Sequence, residues 1–120
     1  MFTKFINRSG RETYNFWRTD STYSYPYAGV LKPFTKKLTL PDDMDDTVLS
    51  LLALHANDST AKSVHALMQQ FVNSDTSRVR SIIEDYINIP AYSTWFGKKF
   101  PVVFDVSVLC NILSFVQLYN

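Results

Sequence analysis

From Pro41 onward the apolar residues recur at helical spacing, and before it they do not. Met44, Val48, Leu51, Leu52 and Ala53 mark one helix face, with Leu49 and Leu54 widening it. Asn57-Asp58-Ser59 closes that helix and caps a second, whose inward stripe is Ala61, Val64, Leu67, Met68, Phe71 and Val72. Two helices joined by a short polar turn make an αα-hairpin. The spacing predicts a shorter helix from Thr76 to Tyr86, with Val79, Ile82, Ile83 and Tyr86 inward. A loop from Asn88 to Phe104 follows, and then a last helix opened by Asp105. That helix turns Val106, Leu109, Ile112, Leu113 and Val116 to one side.

Residues 1–40 read as irregular and aromatic-rich. Arg8-Ser9-Gly10-Arg11 is a turn signal, and Tyr14 to Trp17 is a short extended piece. Tyr23, Tyr25 and Tyr27 alternate as in a strand, but Pro26 argues against one. The expected class is all-α: a single domain over 1–120, with its helical part in 41–120. With no stop signal before Asn120, the chain reads as part of a longer protein.

The composition removes several alternatives. At 46% hydrophobic and 15% aromatic, the 120 residues are suited to a packed core. Twelve basic against eleven acidic residues leave a net charge of +1 and no strongly basic segment, which argues against nucleic acid. Lys36-Lys37, Arg78/Arg80 and Lys98-Lys99 read as solvated surface. Cys110, the single cysteine, rules out an internal disulfide and reads as a small buried hydrophobe. His55 and His65 read as ordinary surface or hairpin residues, so no metal and no cofactor is expected. The apolar stretch Val102–Tyr119, broken by Asp105 and Asn111, is too short and polar to span a bilayer, and residues 1–10 lack a secretory apolar region. A cytoplasmic location follows as an expectation.

The densest chemistry is Leu40-Pro41-Asp42-Asp43-Met44-Asp45-Asp46-Thr47, four carboxylates in five positions after a proline. One reading is helix capping with macrodipole compensation, about 1–2 kcal/mol in all. Capping needs one or two acids, and the rest add repulsion that raises proton affinity. A magnesium reading of Asp42, Asp43 and Asp46 lacks its partner motif, since Asn57-Asp58-Ser59-Thr60 has neither the residues nor the position. The other chemical reading is Asp-x-Asp-Asp over Asp43-Met44-Asp45-Asp46, in which a middle aspartate gives up a proton and its neighbours tune it.

Three segments in order resemble the α/α-toroid superfamily of squalene–hopene cyclases and protein prenyltransferase β-subunits, in an uncharacterised bacterial branch. They are the acidic Pro-Asp-Asp-x-Asp-Asp-Thr run, Ala91-Tyr92-Ser93-Thr94-Trp95-Phe96, and the Asp-Val-x-x-x-x-Asn-Ile helix start at Phe104–Leu113. The resemblance implies antiparallel helical hairpins forming part of an α/α toroid and acid-initiated cyclisation of an isoprenoid. It makes Asp45 the proton donor beside Asp43 and Asp46. Tyr92, Trp95, Asp105 and Asn111 become substrate-binding residues of the same cavity. The chain departs from the family in size, in lacking glycine-aromatic repeats, and in lacking the zinc ligands of the prenyltransferases. The alternative is a non-catalytic helical module that binds a protein or glycan. Either way, apolar helix faces are left over, to be covered by the rest of a longer chain or by self-association.

Overall fold

The computed structural model describes residues 2–19, 41–73, 84–97 and 102–119. Among them are three α-helices: α1 (Met44–Ala53), α2 (Asp58–Met68) and α3 (Val106–Tyr119). Short 3-10 turns occupy Phe2–Lys4, Gln69–Phe71 and Glu84–Tyr86. The class is all-α, as the helical spacing predicts. The tyrosine row at 23–27, most of the helix expected from Thr76, and the basic pairs lie outside the described residues.

Each helix start follows from a capping side chain. Asp43 accepts from the backbone N–H groups of Asp45 and Asp46, Asn57 from Thr60, and Asp105 from Ser107 and Val108. Such caps satisfy donors that the first turn leaves unpaired and contribute about 1 kcal/mol each. Cap Asp43 places the start of α1 at Met44, later than the first turn expected at Pro41. The chain through Asp42 and Asp43 is extended because its backbone pairs with two other segments (below). At its far end, α1 stops at Leu54, and His55 turns the chain with φ +49°.

The core joins Met44, Val48 and Leu51 of α1, Ala61, Val64 and Met68 of α2, and Val108, Ile112 and Phe115 of α3. Helix α3 lies against both α1 and α2, more extensively against α1. The stripe expected for α2 is the one observed, with Leu67 and Val72 half-buried. Phe71 meets Phe96 edge to face at 5.7 Å and pins the 91–97 segment to this core.

Other faces differ from expectation. On α1, Leu49, Ala53 and Leu54 are exposed, because the described residues cover only one side of the helix. On α3, Ile112 is buried and Val116 packs against the core as expected, but Val106 and Leu113 lie outward at 77% and 63% exposure, while Val108 and Phe115 are buried. Apolar residues stand on more than one side of this helix, so its period leaves the buried stripe open; packing kept Ile112 inside and turned Val108 and Phe115 in with it. Cys110 shares the outward side and is exposed, contrary to the buried hydrophobe expected. Tyr86 is exposed in a 3-10 turn, not inward on a helix.

Candidate functional site

Four stretches of chain meet at the acidic start of α1. Single antiparallel bridges link Ile6 to Tyr14, Tyr14 to Asp43, and Asp43 to Trp95. The Asp43 N–H donates to the Tyr14 carbonyl at 2.9 Å, Met44 N–H to Thr94 at 2.8 Å, and Phe96 N–H to the Asp42 carbonyl at 3.0 Å. Thr47 closes the junction from the first turn of α1. Its hydroxyl donates to the Asp43 carbonyl at 2.6 Å and accepts from the Tyr14 N–H at 2.9 Å. Buried backbone groups need such partners, and here local sequence neighbours cannot supply them.

The four carboxylates have four different surroundings. Asp42 is buried, and its Oδ2 accepts from Asn7, from Thr13 at 2.5 Å and from Arg11 at 3.3 Å. That set makes it a structural anchor for the N-terminal segment. Asp43 is buried and caps the helix; burial raises its pKa to about 6, partly countered by the N–H donors of Asp46 and Asp45. Asp45, half-buried, accepts from the Asn111 side-chain amide of α3 at 2.7 Å. Asp46 is also half-buried, and its Oδ2 is shielded from solvent with no hydrogen-bond partner among the described residues. Burial first, and the neighbouring Asp45 charge second, raise its pKa. Here desolvation outweighs the helix N-terminus, which favours the ionised form.

Among the expected site residues, the fold gathers Asp43, Asp45, Asp46 and Asn111, and brings the backbone of Trp95 beside Asp43. Asn111 meets Asp45 directly, 66 positions away in sequence. Tyr92 and Asp105 are engaged otherwise. The Tyr92 hydroxyl is 2.9 Å from Nε2 of His65 on α2, and Asp105 is the exposed cap of α3. A cleft of about 10 Å³ lies between α2 and α3, lined by Ala61, Lys62, His65, Phe115, Val116 and Tyr119. It has room for about one water and includes none of the expected residues.

Nothing in the sequence points to Asn7, Arg11 or Thr13 as members of this junction, and the part played by Thr47 is only weakly visible there. The one local cue is that Thr47 stands one turn after the cap, where its hydroxyl can bond the Asp43 carbonyl. The rest depends on contacts across some thirty positions. Among the described residues no group of three or more His, Cys, Asp or Glu side chains is arranged to hold a metal ion. No helix among them is long and apolar enough to cross a membrane. Chemically, the junction offers two carboxyls, Asp43 and Asp46, that hold protons more tightly than usual, beside an Asp45 held by the Asn111 amide. Comparison with known protein families, curated proteins and solved structures returns no match.

Proposed function

We propose that this chain is a terpene-cyclase-like or prenyltransferase-like protein, built on part of an α/α toroid, that protonates an isoprenoid alkene from the acidic start of α1. The observation that carries the reading is the shielded Oδ2 of Asp46, which has no donor to satisfy it. A carboxyl oxygen withdrawn from water without a partner is best satisfied by its own proton. Asp45, oriented by Asn111, is the donor to the alkene carbon. Asp46 and Asp43 return a proton to it. The substrate class comes from the resemblance of the three segments. In this reading Trp95, whose backbone pairs with Asp43, is the aromatic group that stabilises a developing carbocation.

A second reading, a non-catalytic helical module, draws on Asp42 and Asp43. Both side chains serve the fold itself, as anchor and cap. Incubation with squalene, oxidosqualene and prenyl diphosphates, read by mass spectrometry, separates the two. Turnover by the wild type, reduced about 10²–10⁴-fold in Asp45→Asn, is expected for the acid reading. No product from any of these substrates, or equal turnover by Asp45→Asn, rejects it.

A further inference from the structure

The N-terminal segment is the charge counterpart of the acidic junction on which it packs. The first twenty residues hold four basic side chains and two acidic ones, while the remaining hundred hold eight and nine. One of the four, Arg11, is committed to Asp42 at 3.3 Å. The other three, Lys4, Arg8 and Arg18, are exposed. Of the two acids, Glu12 accepts from the Thr60 hydroxyl on α2 at 3.1 Å, and Asp20 lies outside the described residues.

Folding gathers the three exposed cations at one rim. Stretches 5–7 and 13–15 pair as a hairpin, with the Asn7 and Asn15 N–H groups donating to the Thr13 and Phe5 carbonyls at 2.9 Å each. Thr19 then returns beside the first stretch. Its N–H donates to the Lys4 carbonyl at 2.7 Å and its hydroxyl to the Ile6 carbonyl at 2.6 Å, while its own carbonyl accepts from Nε of Arg8. Positions 4, 8 and 18 are thereby made neighbours.

The turn leading into this rim carries aromatic rings. The Trp17 N–H donates to Oδ1 of Asn15 at 2.9 Å. Phe16 is 59% exposed and meets the half-buried Trp17 edge to face, with centroids 4.9 Å apart and planes at 84°. One exposed phenylalanine is ordinary. Aromatic rings directly beside clustered cations suit an anionic bilayer, with the rings in the interfacial layer and the cations among the headgroup phosphates. Nucleic acid fits less well. Successive bases stack on ring faces, and two rings at right angles offer a single platform. Three cations also neutralise few phosphates, which leaves little affinity at physiological salt.

We infer that the hairpin rim of Lys4, Arg8 and Arg18, with Phe16 and Trp17, docks this chain reversibly on anionic lipid bilayers. The rim uses none of the carboxylates of α1, so docking is independent of the acid reading.

Flotation of the full chain with vesicles of equal parts phosphatidylcholine and phosphatidylglycerol measures the binding. Flotation at low salt that falls away as salt is raised is expected. Lys4→Glu reverses one charge of the rim and is expected to weaken binding about tenfold. Phe16→Ala removes the exposed ring, also for a loss of about tenfold. Both sites are exposed, so circular dichroism and the melting temperature should not move. The tryptophan emission should shift to the blue on binding, and Trp17→Phe should abolish that shift. No flotation with the anionic vesicles overturns the docking. So does equal flotation with pure phosphatidylcholine, binding that both Lys4→Glu and Phe16→Ala leave intact, or a preference for a single-stranded oligonucleotide over the vesicles.

Discussion

At the start of α1 charged side chains are inside, and on the outer face of α3 apolar ones are outside. Asp42 and Asp43 are 5% and 8% exposed, whereas Val106 is 77% exposed. The usual partition of side chains is inverted at both places, for different reasons. Around Asp43 the backbone itself is the core, because three segments need each other's N–H and carbonyl groups. Carboxylates are carried in with it and are tolerable only because amide, hydroxyl and guanidinium donors meet them. On α3 no group forces the outer side inward. Its valine and leucines stay out because the inner side already fills the space between α1 and α2. The lesson is that burial at the acidic junction is imposed by hydrogen bonding, and exposure on α3 by the lack of a further layer among the described residues.

The sharpest way to break this contrast is at Asp42. Asp42→Ala leaves the Arg11 guanidinium, the Thr13 hydroxyl and the Asn7 amide without their shared acceptor. A loss of about 2–4 kcal/mol in urea unfolding is expected, much larger than for any substitution on the outer face of α3. If the loss is under about 0.5 kcal/mol, the junction is not what holds residues 2–19 to the helices.

Thr47→Val tests the junction without changing charge or shape. The Tyr14 N–H would lose its acceptor inside the protein, at a cost of about 1–3 kcal/mol. Hydrogen exchange at Tyr14 should quicken more than exchange within α2.

The smallest expected effect is the pH dependence. The pKa of Asp43 rises from 3.8 to about 6 on folding, so the native state holds the proton more tightly than the unfolded chain. The stabilisation from that proton is fully present below about pH 4 and is lost as pH rises through about 6. Asp46 shifts in the same direction. Asp43→Asn keeps a good cap and removes the cost of a buried charge. It should gain about 1–2 kcal/mol at pH 7–8, with partial screening allowed for. Its chemical melts should also show a flatter profile between pH 4 and 6. A loss of stability at pH 8 would mean that the ionised carboxylate is needed as the cap.

Much of the helical part was legible in the sequence. Asn57 and Asp105 cap helices where local chemistry says they should, and the stripe of α2 is polar enough on its far side to have one possible orientation. In α1 the wide apolar face overstated burial, because no described segment packs over Leu49 and Leu54, which stay exposed. Of the acidic run, the sequence offered four like charges with no means to rank them. Ranking came from partners elsewhere in the chain: Thr13 for Asp42, Asn111 for Asp45, and none for Oδ2 of Asp46.

By itself the sequence determined the helices, their caps and the crowding of carboxylates after Pro41, all of which depend on neighbours within a few positions. Only the tertiary structure decided which side of α3 faces inward, that Cys110 is exposed, and which carboxylate became an anchor, a cap or an amide-bound group. Those outcomes depend on which distant segments come into contact. Helical periodicity cannot choose between two apolar stripes, and a carboxylate's character is set by the donors and the water that folding leaves around it.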